Sequence, residues 1–482
     1  MKIKSLLAGL VFLAPCVMAE GLPDLGETAL TDLSPAMEQK LGAAIMRDLR
    51  WNDPGYLDDP EVTAYLNRVG NRLAAAVADG SGAFRFFALR ESTLNAFALP
   101  GGYIGVHSGL ILASQSESEL AGVLAHEISH VTQHHIARMV GKQREAHALS
   151  LASLLVAVLA ARSNSQVSQA ALTSGAAAGI QSQLNYTRDF EREADRTGLV
   201  RLEAAGFDVR GMAEFFERLQ RGTRLYENNA PAYLQTHPLT TERIADMQGR
   251  VQSMPYHQVP DSLEYQLVRA KLKVAAGAPD EAVMDFRTRL QDRKYGSEAA
   301  ARYGLARALL AAGKPAEAEK ELAILSRQKL GTSMLDTLAA EIRLAHKDRP
   351  GAIRIYRKAL QAHPHEKALV YGLADTLIIG NEPAAAVQLV EQELARSSGD
   401  PDLYAYQARG YGALGKRLLQ HRAQAELYAL QGRLKDAVEQ LQLAQRAGDG
   451  NFYELSAVDA RLREMKAKER EAAKEAKDAA QP

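Results

Sequence analysis

The sequence predicts two unlike halves: an α+β region, mostly helical with a small sheet, followed by an all-α solenoid of repeats. Three observations carry this expectation. The 482 residues, 46% of them hydrophobic, are ample for two folded domains. Phe84 to Leu89 (FRFFAL) and Tyr103 to His107 (YIGVH), rich in aromatic and β-branched residues, read as strands among otherwise helical patterns. A turn signature then recurs through the second half at nearly constant spacing. The expected divisions are residues 1–19, a leader; 20–255, the α+β domain; 256–455, the repeats; and 456–482, a charged tail.

The leader has the order of an export signal. Lys2 and Lys4 form its positive end, Leu6 to Leu13 a short apolar stretch, and Val17 and Ala19 put small residues before a cleavage point at Glu20. The apolar stretch is well short of the ~20 residues that span a bilayer. Cys16, the one cysteine, lies inside the leader, and Pro15 before it is a poor match to a lipid-modified cysteine. Cleavage leaves no cysteine and no disulfide, which suits a bacterial periplasm together with the lysine-initiated leader. Formal net charge is zero and pI about 7.2, so no overall charge draws the chain to nucleic acid. The longest later apolar run, Ala148 to Ala161, is also too short to span a membrane.

Residues 20–255 carry the chemistry. Ala125 to Val131 reads AHEISHV, on a helix expected to start near Ser116, where Ser116 and Glu119 have capping-box spacing. Leu120, Leu124, Ile128 and Val131 form an apolar stripe. His126 and His130, four apart, project from another face one turn above each other. That spacing lets two imidazoles chelate one zinc ion while Glu127 reaches the water on it. His134 continues the series, but eight residues of helix put it ~12 Å from His126 along the axis. One ion with Zn–N bonds of ~2.1 Å cannot hold both. His134 and His135 therefore read as surface or packing residues. A third ligand must come from elsewhere. Glu191 to Asp195 (EREAD) offers one, and spacing alone does not choose Glu191 over Glu193.

HEISH followed about sixty residues later by ExxAD, with Asn95 to Ile104 (NAFALPGGYI) upstream, resembles the HtpX-like and CAAX-prenyl-protease-like zinc metallopeptidases. The resemblance implies an α+β zinc metallopeptidase domain with one Zn2+ per chain, held by His126, His130 and Glu191. Glu127 is then the base, Asp195 the acid that orients a zinc-bound histidine, and Glu193 a solvated helix charge. Asn95 to Ile104 becomes a strand beside the site whose edge pairs with an extended substrate. Gly101 and Gly102 either permit close substrate approach or serve a tight turn after Pro100. Similar proteins carry a His-Pro segment with a following arginine near the zinc, here His237 and Arg243 in THPLTTER. Three readings of His237 stand open: a latch in the water position, an oxyanion donor, or part of a helix-start loop. The uncharged stretch Ser163 to Thr187 is either a flap over the cleft or an Ala-rich packed helix. Many members of that family carry transmembrane helices, and this sequence departs from them.

In the second half Gly277 is followed five residues on by Ala282, Gly313 by Ala318, Lys347 by Ala352 and Gly380 by Ala385, at intervals of 36, 34 and 33 residues. Gly432 and Ala437 repeat the signature 52 residues later, about one and a half periods. The pattern resembles the tetratricopeptide array, in which ~34-residue helix pairs bury a face against their neighbours. The resemblance implies a concave face that binds peptides or protein partners. The tail, from Arg461 to Asp478 nearly all Arg, Lys, Glu and Ala, reads as a solvated helix or as disordered. Leader, metal motifs and repeats together resemble periplasmic proteases and chaperones of outer-membrane β-barrel assembly. The implied partners are unfolded or misassembled outer-membrane proteins and the β-barrel assembly machinery. The alternative is a chaperone or adaptor in which proteolysis is secondary. Intact Glu127 argues against a purely structural zinc, which needs no base.

Overall fold

A computed structural model describes residues 33–78, 83–144, 188–224 and 232–479. The leader with Cys16, the Ala148 to Ala161 run and the Ser163 to Thr187 stretch lie outside these residues. No helix among the described residues is long and apolar enough to cross a membrane.

The chain opens with α1 (Pro35–Asn52) and α2 (Pro60–Ala75), each begun by proline directly after a capping side chain, Ser34 or Asp59. Proline costs nothing at that position, where the backbone N–H has no helical partner. Three strands follow: β1 (Arg85–Leu89), β2 (Ala96–Leu99) and β3 (Tyr103–His107). β3 is central, parallel to β1 and antiparallel to β2. β1 starts one residue later than FRFFAL, and β2 lies inside NAFALPGGYI. Alternation along the strands buries both faces of the sheet. Phe86, Ala88, Ala96, Ala98, Ile104 and Val106 face the main core. Phe87, Leu89, Phe97, Leu99 and Tyr103 face Leu41, Ile45 and Leu49 of α1. Gly101 and Gly102, both at positive φ, make the turn after Pro100. Gly101 accepts a hydrogen bond from Gln39 Nε2, and a Cβ on Gly102 would stand 3.0 Å from the Ala83 carbonyl. The turn accounts for both glycines.

Next come α3 (Ser108–Ala113), α4 (Glu117–Thr132), α5 (His135–Arg144), α6 (Arg188–Ala204), α7 (Arg210–Arg224), the short α8 (Ala232–Thr236) and α9 (Thr241–Ser253). Ser116 caps α4 by accepting the Glu119 N–H, and Glu119 reaches back to the Gln115 N–H. Every residue of α4 from Glu117 to His130 is buried, so the expected one-sided stripe understates it. The helix runs through the centre, packed by α2, α6, α7 and β2. Missing side chains permit that approach. A Cβ on Gly122 would stand 2.7 Å from Met212 Cβ on α7, and one on Gly198 of α6 would stand 3.3 Å from the His126 nitrogen.

The second half is a stack of antiparallel helices: α10 (Leu263–Ala275), α11 (Pro279–Gln291), α12 (Glu298–Ala311), α13 (Pro315–Arg327), α14 (Ser333–Ala345), α15 (Arg349–Ala362), α16 (Lys367–Ile379), α17 (Pro383–Leu394), α18 (Pro401–Ala413), α19 (Arg417–Leu430), α20 (Leu434–Arg446) and α21 (Phe452–Ala479). The four signature turns each join the two helices of a pair. A fifth turn, at Gly415, lacks the signature because Gln420 stands at the alanine position. Gly432 then falls half a period later, between pairs. α21 runs through residues assigned to the tail, and its Val458, Leu462 and Met465 are buried against Leu418 and Leu441. Its first half is therefore the closing helix of the array rather than a solvated tail.

The two patterns share one core. Tyr265, Leu267 and Val268 of α10 lie in the same hydrophobic cluster as Leu66 of α2 and Leu120 of α4. The first turn of α4 is tied to the first turn of α10. Ser262 donates its N–H and Oγ–H to Glu117, Tyr65 donates to the same carboxylate, and Asp261 accepts the Glu117 N–H. Farther along, Arg68 pairs with Glu264 and Glu366, Lys271 with Asp59 and Glu61, and Arg50 with Asp402. The boundary expected at residues 255–256 separates two sequence patterns but not two cores.

Candidate metal centre

α4 and α6 lie side by side, and the absence of a side chain at Gly198 brings their backbones together at His126. Four side chains converge there: His126 and His130 from α4, Glu191 from α6, and His237 from the loop after α8. Their ligand atoms all lie within 4.8 Å of one another, and all four residues are buried.

The separations fit one small cation. His126 Nε2 is 3.0 Å from His130 Nε2 and 3.5 Å from Glu191 Oε2. Glu191 Oε1 is 3.4 Å from His130 Nε2 and 3.0 Å from His237 Nδ1, which is itself 3.4 Å from His126 Nε2. Four ligands placed tetrahedrally at zinc-like bond lengths of ~2.1 Å are about 3.4 Å apart. Charge agrees with geometry. Glu127, Glu191 and Asp195 are buried together against one buried guanidinium, Arg243, so three carboxylates face one fixed positive charge. A divalent cation removes the imbalance that burial makes costly.

The neighbours hold each ligand in place. Asp195 Oδ1 stands 3.0 Å from His126 Nδ1, leaving Nε2 directed at the cluster. Arg243 donates from Nε and Nη2 to the two Asp195 oxygens at 2.7 and 2.8 Å, and its Nη1 is 2.7 Å from Glu191 Oε2. The same Nη1 donates to the Pro238 carbonyl, which fixes the loop carrying His237. His135 stacks on Phe190 at 4.5 Å and sits 2.8 Å from His130 Nδ1, on the side away from the cluster. It packs behind a ligand. Glu193, expected to be solvated, is half-buried and accepts from Arg138.

Glu127 has a different environment. It is fully buried, and the backbone N–H that faces its carboxylate is that of Ala98, on the outward edge of β2. His237 Nε2 lies 3.5 Å from that carboxylate. Burial pushes its carboxyl above the ordinary value, opposed by His237, His126 and the Ala98 N–H. Burial also raises Glu191, but His237 and hydrogen bonds from His126 and His130 outweigh it and hold that carboxyl well below the usual range.

β2 forms one edge of the sheet beside this site. Asn95 accepts the His107 N–H through its carbonyl, so Asn95, Phe97 and Leu99 turn their backbone groups to β3. The outward edge belongs to Leu94, Ala96 and Ala98. Asn95, expected among the substrate-binding residues, thus keeps its backbone inside the sheet, with a buried side chain whose Oδ1 has no partner among the described residues. Gly101 and Gly102 lie at the far end of β2, in the turn against α1. Sequence reasoning missed Tyr233, buried beside His237. Its spacing of four residues from His237 was the available signal.

Comparison with known proteins follows the same division. The model of peptidase family M48 matches residues 60–251, and that of the tetratricopeptide repeat matches 257–342 and 343–410. The chain is 32% identical over 446 residues to a beta-barrel assembly-enhancing protease of Yersinia pestis, covering 92% of this chain and 91% of that one. It is 32% identical over 451 residues to the protein of the same description from Escherichia coli strain K12, covering 93% and 92%. A putative beta-barrel assembly-enhancing protease of Vibrio cholerae is 40% identical over 287 residues, covering 58% and 59%.

Proposed function

The chain belongs to peptidase family M48, a metallopeptidase with tetratricopeptide repeats, and from that membership we propose that it is a zinc endopeptidase of the bacterial periplasm. Its clients are unfolded or misassembled outer-membrane β-barrel proteins, it works with the machinery that assembles them, and residues 1–19 are the leader that exports it. His126, His130 and Glu191 hold the ion and Glu127 is the base. The observation that carries this reading is three side chains with ligand atoms 3.0–3.5 Å apart beside the fully buried carboxylate of Glu127.

When bound, the ion supplies Lewis acidity, lowering the pKa of a water towards ~7 and polarising the scissile carbonyl. Glu127 accepts a proton from the attacking water and delivers it to the leaving amine. Asp195 keeps His126 oriented, and Arg243 keeps Asp195 and Glu191 oriented in turn. Substrate lies extended along Leu94, Ala96 and Ala98, pairing through its backbone and carrying its scissile carbonyl past Glu127. His237 is a latch. Its Nδ1 stands among the ligand atoms as a fourth donor, where the reactive water has to bind. An oxyanion donor would stand beside that position rather than in it.

The test compares Glu127→Gln with wild type on casein, with metal content measured in parallel. Glu127→Gln should keep its zinc and lose cleavage by about 10²- to 10⁴-fold, the range of general acid–base catalysis. His126→Ala and Glu191→Ala should lose zinc as well. Cleavage at the wild-type rate by zinc-loaded Glu127→Gln would make the assigned mechanism wrong.

A further inference from the structure

The latch reading of His237 leaves open what moves it, and the residue four positions earlier bears on that. Tyr233 is fully buried in α8. Its ring stacks on the His237 ring with centroids 4.6 Å apart and planes 24° apart, and Phe216 lies 5.8 Å from it. Phe216 in turn meets the His126 ring edge-on at 5.7 Å. The Tyr233 carbonyl accepts the His237 N–H at 2.8 Å, and the Tyr233 N–H donates to the Leu94 carbonyl at 3.1 Å. The last contact is the informative one, because Leu94 lies two residues before β2 and continues the line of its outward edge.

We propose that Tyr233 is a positioning residue that ties His237 to the substrate edge of β2, so that an extended peptide docking on that edge releases the latch. This rests on the reading of His237 given above. A strand added to a sheet lies ~4.8 Å from its neighbour, and the Tyr233 backbone already stands in that lane at Leu94. A docking peptide that takes the Leu94 carbonyl displaces the Tyr233 N–H, and with it the ring and carbonyl that hold His237. The bond between the Tyr233 N–H and the Leu94 carbonyl is a single backbone hydrogen bond, which several strand hydrogen bonds outcompete. The activating ligand is therefore extended backbone, with little regard to side-chain sequence. A folded protein offers few such strands, because its sheet edges are short, charged or covered. The Tyr233 hydroxyl accepts and donates nothing among the described residues, so the ring, not the hydroxyl, does the holding.

The test uses the full-length zinc-loaded protein with casein as probe. Tyr233→Ala should lower KM roughly tenfold, because the competent population rises by that factor, while kcat stays near wild type. Tyr233→Phe, which keeps the ring and the backbone, should behave as wild type. His237→Ala should show a similar gain, and the double variant no further gain, since both remove one device. A second readout does not depend on turnover. In the Glu127→Gln protein, casein should speed hydrogen exchange at the Tyr233 amide and leave the His107 amide slow. If His237→Ala activates but Tyr233→Ala does not, the coupling is wrong and the latch stands. If His237→Ala does not activate, the latch itself fails. Should Tyr233→Ala misfold, the exchange measurement decides, and an unchanged Tyr233 amide overturns the proposal.

Discussion

The halves of this molecule bury different things. Before residue 256 the interior holds Glu61, Asn95, His107, Ser114, Glu117, Ser118, Glu119, His126, Glu127, Ser129, His130, His135, Glu191, Asp195, Arg201, His237 and Arg243. After it, the buried polar residues among those described are Thr337, Thr376 and Asp400. The array keeps most of its charge in surface pairs such as Arg287–Glu317 and Arg343–Glu319, which contribute little each. The peptidase half puts charge where an unpaired group costs several kcal/mol. An array can therefore be uniform and tolerant, whereas a metal site needs surroundings that over-determine each side chain. The array's first helix belongs to the peptidase core, to which it adds apolar surface. A domain that spends stability on buried polar groups gains from extra apolar surface at its border.

That shared packing gives the largest testable effect. A chain ending at residue 255 loses Tyr265, Leu267, Val268 and Leu272, all buried in the shared cluster, and leaves Glu117 without Ser262. Removing buried side chains of this size costs about 2–5 kcal/mol each, against a total stability of roughly 5–15 kcal/mol. The shortened chain should show no cooperative thermal transition and no zinc binding. A chain ending at Ala447 loses only α21 from the small cluster at the array's end. It should retain zinc and casein cleavage. A stable, zinc-binding fragment ending at 255 would break the idea of a shared core.

Close-packed glycines sharpen the comparison at smaller scale. A Cβ at Gly122 would stand 2.7 Å from Met212 Cβ and 2.9 Å from Met212 Cα, so α7 itself must move. In the array a Cβ at Gly304 would meet the Phe286 ring at 2.3 Å, a side chain of the preceding helix. Overpacking costs about 1–3 kcal/mol in either place. Gly122→Ala should also weaken zinc affinity, because His126 sits one turn along the same helix. Gly304→Ala should lower the melting temperature and leave zinc affinity unchanged. Equal effects on zinc would show that the array tunes the site as strongly as its own helix does.

Much of this was legible in the sequence because it is local. His126, Glu127 and His130 share one helix, so spacing alone gives their geometry, and the turn glycines repeat with the array. Glu191 needed a family resemblance, because nothing local relates α6 to α4. Gly198 is the physical link, and a lone glycine in a helix carries no sign of what it packs against. The shared core at α10 was invisible for a related reason: Tyr265 and Leu267 fit the repeat pattern equally well whichever neighbour they face. β2 is only four residues long, so which of Asn95 and Ala96 faces outward depends on the pairing with β3, and a slip of one residue inverts it.

The effect confined to a single titrating group concerns His107, which closes β3 in the peptidase half. Its Nδ1 lies 2.8 Å from Thr93 Oγ1, Phe97 meets its ring edge-on at 6.1 Å, and its Nε2 is buried with no partner among the described residues. Burial holds its pKa down at about 4, and hydrogen bonding to Thr93 restores only part of the loss. An unfolded chain returns the imidazole to ~6.5. Between those values the unfolded state binds more protons, so stability falls as pH drops through 6.5 and stops falling below about 4. The slope from this one residue approaches ~1.4 kcal/mol per pH unit at most. Urea unfolding of the zinc-loaded protein at steps from pH 7 to pH 4 gives the measurement. His107→Gln keeps a polar group near Thr93 and cannot titrate, so its stability should fall less steeply than wild type over this range. The gap between the two curves at pH 7 should close or reverse by pH 4.5. Parallel curves would mean that His107 is protonated in the folded state after all, and that this buried polar group of the peptidase half costs no more than a surface one in the array.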